Sequence, residues 1–200
     1  MSKWHCEKVG TVDLDQLPAD LPVPVDDGAA RHLTGAVLPP LALPSTSGGL
    51  VRLDDPVVPL AVVYCYLRTG RPDAVALGST ASWNAIPGAR GCTPQSCAYR
   101  DHYLDLQELG AVVYGLSTQT TDYQREAVSR LHLPFALLSD ATGEFSAHLR
   151  LPWFEVEGVR FRKRLTLIIR QGRIAHGIYP VFPPDKDAET VITWLRDHAA

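Results

Sequence analysis

Two hundred residues suffice for one domain with a full core plus extensions, and 46% hydrophobic with 20% charged residues is an ordinary globular balance. The net charge of -3, from 19 basic and 22 acidic side chains, argues against a nucleic-acid surface, which needs clustered positive charge. No apolar run approaches the roughly 18 residues that span a bilayer. The start, Met1-Ser2-Lys3-Trp4-His5-Cys6, lacks the apolar stretch of a signal peptide, so no membrane partner and a cytoplasmic location are expected.

In chain order, residues 1–35 read as a proline-rich extension, with Pro18, Pro22 and Pro24 close together, ahead of a domain at 36–200. His5 and Cys6 lack partners at ligand spacing, so no metal and no cofactor is expected. Leu41–Leu43 and Gly49–Leu53 suggest an opening hairpin. Leu60–Tyr66 is apolar enough for a central strand and places Cys65 as a buried structural thiol. Residues 68–90 are irregular and rich in glycine and proline.

A helix is predicted next, with Thr93 as N-cap, Pro94 in the first position, and a run to Leu109 stopped by Gly110. Ala111–Leu116 reads as a strand. Thr121-Asp122-Tyr123-Gln124 reads as a capping box opening a helix that buries Tyr123, Ala127 and Leu131. Phe135–Leu138 is a third buried strand, followed by a short helix near Phe145–Leu149. A basic cluster, Arg160, Arg162, Lys163 and Arg164, precedes two strands, Leu165–Arg170 and Arg173–Tyr179, which flank the tight turn Gln171-Gly172. The final helix spans about Asp185–His198. Parallel crossovers followed by an antiparallel hairpin predict an α/β, thioredoxin-like mixed sheet sandwiched by helices.

The chemistry concentrates in Gly91-Cys92-Thr93-Pro94-Gln95-Ser96-Cys97. A helix start offers free N–H groups and the positive dipole end, so a cysteine there is expected to react as thiolate. Cys97, five residues later, stands where it could capture an oxidised Cys92. Gln95 and Arg100 read as helix-surface or local salt-bridge groups. Four cysteines do not make a disulfide scaffold, and a C-x-x-C oxidoreductase motif is absent.

These residues, with Tyr99-Arg100-Asp101, the strand Val112–Ser117, Leu137-Leu138-Ser139-Asp140 and Arg164–Ile169, resemble the peroxiredoxins of the Q, or bacterioferritin-comigratory, type. The resemblance covers roughly residues 35–198. It implies a thiol-dependent peroxidase acting on hydrogen peroxide or organic hydroperoxides. Cys92 would be the peroxidatic cysteine, Cys97 the resolving one, and Arg164 the cation that holds thiolate and peroxide. A thioredoxin-like dithiol would recycle the disulfide, in a monomer or homodimer.

Helical residues five apart have Cα atoms about 8.7 Å apart, whereas a disulfide needs less than about 7 Å. Resolution therefore requires the first turn to unwind, which the missing N–H of Pro94 makes easier. The chain departs from the family pattern in one place. Ala85 and Ala89 stand where a proline and a threonine are normal. Tyr66-Leu67-Arg68-Thr69 resembles the family's strand-end motif, which implies an insertion at about 70–89 and makes Thr69 the candidate for the missing hydroxyl. The alternative is a non-catalytic redox sensor or binding module on the same fold.

Overall fold

The structure, a computed structural model, describes residues 17–71 and 80–198. A short antiparallel hairpin, β1 (Ala42–Pro44) and β2 (Leu50–Arg52), precedes the central strand β3 (Leu60–Cys65). Three helices follow: α1 (Thr80–Asn84), α2 (Cys92–Asp101) and α3 (Tyr103–Glu108). Then come β4 (Val112–Ser117), α4 (Thr121–Arg130), β5 (Leu137–Ser139) and α5 (Glu144–His148). A second hairpin, β6 (Trp153–Val156) and β7 (Val159–Arg162), leads to β8 (Leu165–Arg170) and β9 (Arg173–Ile178). A 3-10 turn (Pro184–Lys186) and α6 (Asp187–Asp197) close the described chain.

The main sheet has the order β5-β4-β3-β8-β9. β3 runs parallel to β4, and β4 to β5, while β8 is antiparallel to both β3 and β9. This is the thioredoxin-like mixed sheet expected. Every residue of β3 is buried, because helices and loops cover both faces and leave no polar side. Alternation along the strand divides the core in two. Val62 and Tyr64 pack with Tyr99 and Cys97 of α2, Ala127 of α4 and Val191 of α6. Ala61, Val63 and Cys65 pack on the other face, with Leu33 and Leu38 of the N-terminal segment and Phe145 of α5. Gly115 in β4 has no side chain because Tyr64 fills the space: a Cβ there would lie 2.6 Å from the Tyr64 ring.

Several local expectations shift. The cysteine helix starts two residues earlier than predicted. Gly91, not Thr93, is its N-cap, and the helix breaks at His102 (φ -101, ψ 13) instead of running unbroken to Leu109. Gly91 holds φ 107, and a Cβ on it would lie 2.3 Å from Pro184. Only glycine fits where the 3-10 turn presses on the helix start. In α4, Thr120 rather than Thr121 caps, accepting from the Tyr123 N–H at 3.4 Å. Gln124 is buried where Tyr123 was expected.

The β6–β7 hairpin was not expected; of its residues only Arg160 and Arg162 belonged to the predicted basic cluster. Glu157 (φ 51) and Gly158 (φ 76) make its tight turn. The cluster disperses accordingly: Arg160 lies over the Trp153 ring at 4.0 Å, Lys163 pairs with Asp27, and Arg164 turns inward. Gln171 (φ 49) and Gly172 (φ 73) form the expected turn between β8 and β9. No described helix is long and apolar enough to cross a membrane.

Candidate active site

Cys92 is the first residue of α2, with the sheet on one side and the 3-10 turn on the other. Its face of the helix repeats at i+3, i+4 and i+7, so Gln95, Ser96 and Tyr99 are buried with it. Arg164 occupies the residue just before β8 and is only 3% exposed. Its Nη2 donates to Cys92 Sγ at 3.2 Å and to the carbonyls of Ala89 and Arg90, both at 3.3 Å. Its Nη1 donates to Gln95 Oε1. A buried donor-only cation therefore faces the sulfur at a helix start.

The contacts continue inward from Gln95. Its Nε2 donates to Asp187 Oδ2 at 2.7 Å. The same oxygen accepts from Tyr99 Oη at 2.9 Å and from Thr166 Oγ1 at 2.7 Å. Burial pushes the Asp187 carboxyl above the usual carboxylate range, opposed by these three hydrogen bonds and the charge of Arg164. The Tyr99 ring stacks on Tyr64 at 4.4 Å, and Tyr64 donates to Ser96 at 3.1 Å, which locks the helix face onto β3.

The structure thus brings Cys92 and Arg164 together. Cys97 lies one and a half turns along the same unbroken helix, so the two cysteines do not meet in this state. Cys92 and Cys65 are free thiols, whereas Cys97 is held in a disulfide. Thr69 is fully buried but engaged elsewhere. Its hydroxyl donates to Gln119 Oε1 at 3.3 Å, its N–H donates to the same oxygen at 3.0 Å, and Gln119 Nε2 returns a bond to its carbonyl. It is not among the groups hydrogen-bonded to Cys92 or Arg164. Ala89 places a buried methyl where a hydroxyl was looked for, and contributes its carbonyl instead. Residues 72–79 of the expected insertion lie outside the described residues, as do His5 and Cys6.

Gln95 was expected on the helix surface. Its place on the Cys92–Tyr99 stripe was the signal that it is interior. Arg100 does pair locally, with Asp101 at 2.9 Å. Asp187 carried no sequence signal beyond standing at a helix start. Beside Arg164 lies a cavity of about 420 Å³ with mostly apolar walls, among them Val23, Ile86, Phe154 and Val181. The N-terminal segment forms one wall. It is clasped by Asp27, which accepts from Lys163 Nζ at 2.6 Å and Tyr179 Oη at 2.9 Å. Among the described residues no cluster suits a metal ion.

The sequence profile of the Redoxin family matches residues 62–192. Escherichia coli Peroxiredoxin Bcp is 26% identical over 173 residues, 82% of this chain and 96% of that protein. Schizosaccharomyces pombe Peroxiredoxin bcp1 is 29% identical over 138 residues, 68% of this chain but only 62% of the length of that relative. Among solved structures, Peroxidoxin BcpB from Mycobacterium tuberculosis superposes with a TM-score of 0.65 at 24% identity, covering 84% of this chain and 98% of that one. Xanthomonas campestris Peroxiredoxin Q gives 0.62 at 18% identity, covering 91% and 99%. Both share the fold.

Proposed function

We propose that this chain, which belongs to the Redoxin family, is a thiol-dependent peroxidase with Cys92 as its nucleophile. The observation that carries the reading is the 3.2 Å contact from a buried arginine to a buried free cysteine at a helix start. The Cys92 thiolate attacks one oxygen of the peroxide. An S–O bond forms, the O–O bond breaks, and the departing oxygen takes a proton to leave as water or alcohol. Arg164 faces both sulfur and the reacting oxygens. The apolar cavity beside it accommodates the carbon part of an organic hydroperoxide as readily as hydrogen peroxide.

The sulfenic acid on Cys92 is then condensed by the Cys97 thiol, with loss of water, after the first turn of α2 unwinds. Cys97 must be a thiol for this step, so the disulfide that holds it in the described state has to be opened first. A thioredoxin-like dithiol is the reductant proposed for both disulfides, by exchange. The test is mass spectrometry of the reduced protein after one equivalent of peroxide. A Cys92–Cys97 bond is the expected product, and Cys97→Ser should stop at the sulfenic acid after one turnover. A product bonded through Cys6 or Cys65 in place of Cys97 would overturn the assignment.

One observation favours the second reading, a redox sensor or binding module: the Thr69 hydroxyl is committed to Gln119 and Ala89 supplies none. A stopped-flow rate of Cys92 oxidation no faster than that of a small-molecule thiol would select it.

A further inference from the structure

The polarity of the buried groups behind Arg164 alternates along one line. Asp187 at the start of α6 is acceptor-only when ionised, and the Arg164 guanidinium is donor-only. Between them stands Gln95, whose amide has one end of each kind. The 2.7 Å contact to Asp187 takes the Nε2 end and leaves Oε1 to receive Arg164 Nη1. A flipped amide would set oxygen against carboxylate and NH2 against guanidinium, two repulsions at once. Gln95 is the partner of Nη1 among the described residues, while the Nε of Arg164 is buried with no partner. The guanidinium orientation that aims Nη2 at Cys92 is shared between the Ala89 and Arg90 carbonyls on Nη2 and the Gln95 amide on Nη1, so it depends in part on which way the amide points.

We propose that Asp187 is a positioning residue for Cys92: its carboxylate fixes the Gln95 amide, which fixes Arg164 against the sulfur. The proposal rests on reading Cys92 as the reactive thiol. Asp187 touches neither sulfur nor peroxide. Tyr99 and Thr166 hold the carboxylate in place from the helix and the sheet, so it joins α2, β8 and α6 at one oxygen.

The sign of a titration separates this role from its rivals. An anion near a thiol disfavours the thiolate, so Asp187→Ala acting through charge alone would lower the pH midpoint of Cys92 alkylation. Positioning gives the opposite sign, because the carboxylate that aims the cation is lost. With iodoacetamide and the full-length reduced protein, the midpoint in Asp187→Ala should rise by about one pH unit, a tenfold loss of thiolate at neutral pH. Asp187→Asn, which keeps an acceptor oxygen in place, should not rise. An unchanged or lowered midpoint in Asp187→Ala would overturn the proposal.

If Asp187→Ala does not reach the native fold by circular dichroism, Asp187→Leu fills the space without an acceptor and takes the same reading. Alkylation needs no peroxide. A wild type that consumes no peroxide therefore sinks the peroxidase reading, while the midpoint still decides the role of Asp187.

Discussion

Cys65 and Cys92 are both buried free thiols, 1% and 5% exposed, yet they sit in opposite chemical worlds. Cys65 lies inside β3 on the sheet face lined by Val63, Leu138 and Phe145. Burial pushes its thiol far above the usual range. Cys92 lies on the other side of the sheet, where a helix start and a guanidinium meet at its sulfur. Burial alone makes a thiol inert; a fixed cation and a helix start at the sulfur are what the proposed reactivity of Cys92 rests on. The difference is made by one arginine and one helix terminus.

The largest effect expected is from Cys92→Ser, which should abolish peroxide consumption, whereas Cys65→Ala should retain it. Consumption surviving in Cys92→Ser would dissolve the contrast between the two thiols. Next, Arg164→Ala should slow Cys92 oxidation about 10²–10³-fold, the scale of removing one preorganised donor from a developing charge. An unchanged stopped-flow rate would show that the helix start suffices.

The contrast also predicts labelling. Iodoacetamide should modify Cys92 in the native reduced protein and reach Cys65 only at denaturant concentrations that unfold the sheet. Native labelling of Cys65 would mean that its face of the sheet opens locally.

Two smaller effects sharpen the picture at the edge of the site. Lys163, the Ala29 N–H and Tyr179 lower the Asp27 carboxyl to about 2. The folded value lies below the ordinary one near 3.8, so the clasp contributes its full stability above that pH and loses it as pH falls toward about 2. Both partners are partly exposed, so the contribution is below about 1 kcal/mol. Urea midpoints measured between pH 5 and pH 2.5 should fall slightly more in wild type than in Asp27→Asn; equal slopes would remove the clasp from the account. Smallest, Thr69→Val should change Cys92 oxidation by no more than about twofold, because its hydroxyl is bonded to Gln119 rather than to Cys92 or Arg164. A larger loss would restore Thr69 to the site through the Gln119 contact.

The fold class and the candidate nucleophile, Cys92, were legible in the residues alone. Apolar runs at strand length, a Gln-Gly turn and an amphipathic final helix are local signals, and each reappears as β3, the β8–β9 turn and α6. The spacing of Cys92, Gln95 and Tyr99 is equally local, because helical periodicity places them on one face. The start of the cysteine helix slipped by two residues where a glycine cap was forced by contact with Pro184, a group 93 positions away in the chain. The β6–β7 hairpin was hidden because its strands are short and carry arginines. That Arg164, after the hairpin, turns inward depends on where β8 enters the sheet. Asp187 and Thr69 were decided by tertiary structure alone. A carboxylate at a helix start and a threonine after a strand look the same in sequence whether they meet solvent, Gln95 or Gln119. The partner of a buried polar group is set by how distant elements pack, and no local pattern encodes it.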